Sequence, residues 1–187
     1  MKRIATILVA LSMALASVAS AEFRYGWTIS SSSSDPFVNS GSPAPGLLPL
    51  YLWLQCSPDG GMSAAEFDLT IPAGVSNFGF TPALNFLNAG GPSDLLLAAG
   101  GCPEGPVLAG SWNLFGPASV AGDYCLVPSV RSAQRVTVDC NAIGPQPWPI
   151  TFKGFNASGG VAACTDVVLC TSPVTATSWG AVKALYR

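Results

Sequence analysis

Apolar and polar side chains alternate most regularly over residues 64–71, where Ala65, Phe67, Leu69 and Ile71 fall on one side and Glu66, Asp68 and Thr70 on the other. A period of two belongs to a strand with one buried and one wet face. Such a strand fits an antiparallel sheet better than a parallel one covered on both sides. Residues 23–29 alternate well enough for a first strand, and the Ser-, Pro- and Gly-rich stretch 30–45 reads as a flexible connection. Residues 47–55 form an apolar, aromatic run, expected to be a buried strand whose start is marked by Pro49. Ser57-Pro-Asp-Gly-Gly61 then turns the chain. Further short apolar segments follow at 77–80, 94–99, 107–115, 124–127, 135–140 and 150–155, set off by Gly- and Pro-containing breaks. The expected fold class is therefore all-β, an antiparallel β-sandwich. The 20 glycines and 16 prolines are spread along the chain as punctuation, which argues for one folded domain.

The two ends depart from this pattern. Lys2-Arg3, an apolar run over 4–18 and Ala19-Ser20-Ala21 have the three parts of a secretory signal peptide, expected to be cleaved after Ala21. The run is short of the roughly 20 strongly apolar residues a spanning helix wants. Gly, Pro or Asp interrupts every later apolar stretch, so no membrane span is expected after cleavage. At the other end, Ser178 fits a helix N-cap, Trp179, Val182 and Tyr186 share helical spacing, and Lys183 and Arg187 suit the C-terminal pole of the helix dipole. This predicts a short C-terminal helix, either docked on its own domain or serving as a sorting or partner-binding tail. The expected organisation is a signal peptide over 1–21, a first strand and loop over 22–45, a sandwich over 46–176 and the helix over 177–187. The expected location is extracellular or periplasmic.

Without residues 1–21 the chain keeps six basic against ten acidic side chains, a net charge of −4. No basic patch exists there to neutralise a phosphate backbone, so nucleic acid is not expected as a partner. Cys56, Cys102, Cys125, Cys140, Cys164 and Cys170 all fall in this part, and in an exported chain six cysteines read as three disulfides. Six allow 15 connectivities. Residues 124–127 and 135–140 look like two strands around a polar turn at Ser132 and Ala133, which would set Cys125 opposite Cys140. Cys164 and Cys170 are near enough to close a small loop, leaving Cys56 for Cys102. A zinc site is the weaker reading, since there is no CxxC pair and no histidine.

The lack of histidine also removes the commonest general base and triad member. No GxSxG elbow, HExxH helix or P-loop is present, and the glycine pairs read as turns. No enzyme, cofactor or metal is expected. Glu66 and Asp68 project from one strand face, as a glycosidase carboxylate pair could, but an ordinary solvated face gives the same pattern. Asp35, Asp59, Asp68, Asp94 and Asp123 lack the spacing of a calcium loop. Most of the tryptophans and tyrosines sit in apolar runs and read as core. Trp148, between Pro147 and Pro149, is the best exposed candidate for stacking on a sugar. Asn156-Ala-Ser158 matches a glycosylation sequon, which chance explains better beside a bacterial-looking signal peptide.

Tyr51-Leu-Trp-Leu-Gln-Cys56, the stretch from Gly61 to Ile71 and Val136-Thr-Val-Asp-Cys140 together resemble secreted bacterial cohesin-like β-sandwich domains. The ending Ser178-Trp-Gly-Ala-Val-Lys-Ala-Leu-Tyr-Arg187 is similar to the carboxyl ends of uncharacterised exported proteins that carry such domains. Cohesins bind dockerin modules through one sheet face and generally lack this density of cysteine. The resemblance implies an Ig-like β-sandwich with no binding residue carried over; together with the cysteines read as disulfides and the missing catalytic set, the expectation is a disulfide-stapled, non-enzymatic module for a protein or glycan partner. A carbohydrate-active enzyme using Glu66 or Asp68, and a structural coat or matrix subunit, are the alternatives.

Overall fold

The computed structural model describes residues 25–58 and 60–166. The expected signal peptide with its cleavage point, the expected C-terminal helix with Trp179, and Asp59 and Cys170 lie outside the described residues. The strands are β1 (Tyr25–Ser30), β2 (Gly46–Cys56), β3 (Met62–Thr70), β4 (Ser76–Pro82), β5 (Phe86–Asn88), β6 (Leu95–Ala99), β7 (Val107–Gly116), β8 (Asp123–Val127), β9 (Val136–Asp139), β10 (Pro147–Lys153) and β11 (Phe155–Asn156). No helix occurs among the described residues.

They make a β-sandwich. One layer is ordered β4–β7–β2–β1–β10; in the other, β5 pairs β6, β6 pairs β3, and the opposite edge of β3 carries β9 and β8. Strand β10 serves both layers, pairing β9 through residues 147–149 and β1 through residues 150–153. The β1–β10 pair is parallel, the exception in an otherwise antiparallel set. Its strands come from opposite ends of the described chain, so no short hairpin dictates their direction.

The alternation in β3 arises because Ala65, Phe67 and Leu69 are buried between the layers while Glu66 and Asp68 look outward. Trp27 of β1 meets Phe67 edge to face at 5.2 Å between ring centroids, joining the two layers at the centre of the core. The Trp27 Nε1–H donates to Thr137 Oγ1 on β9 at 2.9 Å, so the indole buries no unpaired donor.

Three expectations need correcting. Pro49 lies inside β2 rather than at its start; β1 pairs β2 only from Tyr51 onward, so the β1-side edge at Pro49 has no strand owed an N–H. The connection after β1 is not a free linker over its first ten residues. It folds back over the outward side of β1, where Thr28 Oγ1 donates to Pro36 O at 3.0 Å and Asn39 Nδ2 donates to Ile29 O at 2.7 Å. Strand β1 is consequently buried on both faces.

The third correction concerns the cysteines. Strands β8 and β9 do not form a hairpin: β8 pairs residues 68–70 of β3 and β9 pairs residues 62–66, both antiparallel, so the two run end to end along one edge of β3. The polar stretch between them is looped out, closed by Ser129 N–H donating to Gln134 O and Ala133 N–H to Ser129 O, each at 2.8 Å. Cys125 and Cys140 therefore sit at opposite ends of an interrupted strand. The disulfides are Cys102–Cys140 and Cys125–Cys164, with Cα separations of 6.0 and 6.1 Å. Cys56 is disulfide-bonded as well. The pairings Cys125–Cys140, Cys164–Cys170 and Cys56–Cys102 are thereby replaced, and disulfides rather than zinc take up these sulfurs.

Candidate functional site

Cross-strand partners share a sheet face, so the registers show what the outer side of the β3 layer displays. Leu87 pairs Ala98, Ala98 pairs Ala64, Ala64 pairs Val138 and Val138 pairs Pro147. This is an unbroken apolar row across five strands, β5–β6–β3–β9–β10, with Leu87 64% exposed at one end. In the next row Glu66 lies between Leu96 and Val136, and Val136 is followed by Pro149.

Charge is concentrated beside the apolar row. Arg131, carried on the looped-out stretch between β8 and β9, reaches Asp94 Oδ2 at 3.0 Å and Glu66 Oε1 at 3.8 Å, and also donates to Asp94 O at 2.9 Å. Ser129 Oγ donates to Asp94 Oδ1 at 2.8 Å and accepts from Arg131 N–H, fixing the loop that aims the guanidinium. Asp68 accepts from the Leu69 N–H at 2.7 Å. Burial pushes the Asp68 carboxyl above its ordinary value and the nearby Asp94 adds to this, against the lowering pull of the Leu69 N–H and Arg131.

Glu66 and Asp68 thus share a face, as their spacing predicts, but they stand on an open sheet with an arginine among them. Two surface cavities, of about 80 and 310 Å³, do not include either carboxylate in their linings. Trp148 does not share their face, since it lies in register with Thr137 and buried Ala65. It lies in β10 rather than a loop, is half-buried and packs against the core, with Nε1–H donating to Asp139 Oδ2 at 3.0 Å. Asp35 caps the backbone at Phe37, Asp123 accepts from Asn156 Nδ2 and Ala163 N–H, and Asp166 pairs with Arg135 at 2.9 Å. Among the described residues no group of three or more Asp, Glu or Cys side chains is disposed to hold a metal ion. Arg131 and the apolar row escaped the sequence reading; the only trace of the row was that short β5 and β6 carry apolar residues on both faces.

A solved structure shares this architecture. The seventh ScaB type I cohesin from Pseudobacteroides cellulosolvens matches with a TM-score of 0.50 over 78% of this chain and 96% of that one, at 10% sequence identity. The fold is cohesin-like. It is shared as a fold, since one residue in ten in common says nothing about a particular ligand. No family model and no curated protein matches the chain. A cohesin-like sandwich in which one disulfide joins a loop to the end of β9 and another ties the middle of β8 to a loop is thus what the sequence builds.

Proposed function

We propose that the chain is an exported, non-enzymatic binding module that takes a protein partner on the outer face of the β9–β3–β6–β5 layer. The observation that carries this is the apolar row from Leu87 to Pro147, flanked by the Glu66, Asp68, Asp94 and Arg131 cluster. A flat apolar strip with a charged border has the anatomy of a protein interface, in which the strip supplies affinity and the border supplies register. The likeness in fold to a cohesin supports a protein partner over a small molecule. The paired carboxylates serve better as border charges than as an acid and nucleophile, because Glu66 shares Arg131 with Asp94 on the sheet face. Capture from the native secretome with wild type and with Leu87→Asp tests the reading. A partner retained by wild type and lost by the variant, with thermal stability unchanged, supports it; identical capture by both refutes it.

A further inference from the structure

Cys56 is disulfide-bonded, and elimination points to its partner. Of the six cysteines, Cys102 holds Cys140 and Cys125 holds Cys164, which leaves Cys170. The length of chain agrees. Asp166 N–H donates to Phe152 O at 2.9 Å, so the described chain ends against β10. Strand β1 lies beside β10, with Gly26 paired to Thr151, and β2 lies beside β1, with Cys56 paired to Gly26. Asp166 and Cys56 are thus at most three strand spacings apart across the sheet, about 15 Å. Four residues span up to about 14 Å and a disulfide adds about 6 Å between Cα atoms, so Cys170 can reach Cys56.

Such a link starts the segment 171–187 at the end of β2, beside a surface that suits it. Strands β2, β4 and β7 contain no charged residue. Leu48 and Leu50 of β2 are buried in the core, so Leu47 looks outward, 72% exposed, beside its register partner Phe115 of β7. Phe78 of β4 is 69% exposed and sets its ring 6.2 Å from that of half-buried Phe115. An exposed apolar cluster of this kind marks a contact site. Its place matches the length of the segment. Leu47 precedes Cys56 by nine residues, and Trp179 follows Cys170 by nine. A chain that leaves Cys170 extended and runs back along β2 covers about 30 Å in nine residues, as β2 itself does, and arrives with Trp179 at this cluster. From there Trp179, Val182 and Tyr186 recur at helical spacing over ten residues, too few for a stable helix without a surface to pack on.

We infer that a Cys56–Cys170 disulfide pins the C-terminal segment of this chain, and that its Trp179, Val182 and Tyr186 stripe docks on the Leu47, Phe78 and Phe115 cluster of the β4–β7–β2 face. Pinning favours this occupant over a second copy of the chain, because a segment tethered by so short a linker meets the cluster at an effective concentration of about a millimolar. The docking belongs to the layer opposite the proposed protein interface and does not depend on it.

Non-reducing peptide mapping of the full oxidised chain should return Cys56 joined to Cys170; Cys56 joined to any other cysteine would overturn the inference. Trypsin cleavage after Lys183, read by mass spectrometry as loss of residues 184–187, tests the docking, since cleavage of a docked segment tracks the fraction that is open. Trp179→Ser and Phe78→Ser should each speed this cleavage by about tenfold or more, and together by less than the product of their separate effects, as for residues in contact. The circular dichroism spectrum should stay that of wild type, and Leu47→Ser takes the place of Phe78→Ser if that variant misfolds. Wild-type cleavage as fast as that of the free peptide 171–187, indifference to substitution of the cluster, acceleration by Leu87→Ser instead, or protection that vanishes on dilution, as docking on a second copy gives, would each overturn it.

Discussion

Replacing Cys102 and Cys140 together with alanine removes a cross-link between residues 38 apart in sequence. In the chain-entropy treatment a loop of that length restrains the unfolded state by about 4 kcal/mol at 25 °C. The second cross-link, Cys125–Cys164, overlaps the first without nesting inside it, so it leaves the path from Cys102 to Cys140 long and the figure little reduced. Both sites bridge the ends of strands and loops rather than core positions, and the alanines open no cavity in the Trp27–Phe67 region. Urea unfolding of the variant, monitored by tryptophan fluorescence, should show a loss of about 3–4 kcal/mol. Thiol titration in denaturant adds a sharper test. With Cys125 joined to Cys164, and Cys56 bonded to neither Cys102 nor Cys140, neither Cys125 nor Cys56 is left as a thiol. Were Cys125 joined to Cys140 and Cys56 to Cys102, the same variant would expose two thiols. Two thiols, or a stability loss under about 1 kcal/mol, would refute the reasoning.

Thr137→Val keeps the shape of a fully buried side chain but removes the acceptor of the Trp27 indole, and should cost about 1–3 kcal/mol in urea unfolding; a neutral result would mean that the indole finds another acceptor. Asp68 has a raised folded-state pKa, so its ionised form opposes folding. At pH below the ordinary value of 3.8 both states are protonated and nothing is lost; as pH rises from there through the folded value, the unfolded state ionises first and stability falls. Asp68→Asn should therefore stabilise at pH 7, by less than about 1 kcal/mol for so solvent-screened a charge, and do nothing at pH 3. Destabilisation at pH 7 would contradict this.

The strands were legible where burial is one-sided. Glu66 and Asp68 mark the wet face of β3 because the opposite face supplies Phe67 to the core, and the sequence carries that contrast directly. Strand β5 was not legible, since three residues, Phe86 to Asn88, show no period. The β8 and β9 segments were recognised as strands but assigned to each other, because a local hairpin is the natural partner for two neighbouring runs. Their real partner, β3, lies some sixty residues upstream, and nothing in the segments themselves encodes that choice. The disulfides failed with the hairpin. The apolar row failed for a related reason: Leu87, Ala98, Ala64, Val138 and Pro147 are unremarkable singly and become a surface only through four separate registers. Trp148 was misplaced because its flanking prolines suggest a loop, whereas β10 accommodates both while it crosses from one layer to the other.

Hydrogen exchange read by mass spectrometry, on the full oxidised chain with and without the partner captured from the secretome, addresses the central claim most directly. Protection should appear over residues 64–68, 87–98 and 136–138, and the outer side of β2, β4 and β7 should exchange as in the free protein. Protection confined to β2, β4 and β7, with the Leu87 to Pro147 row unchanged, would contradict it.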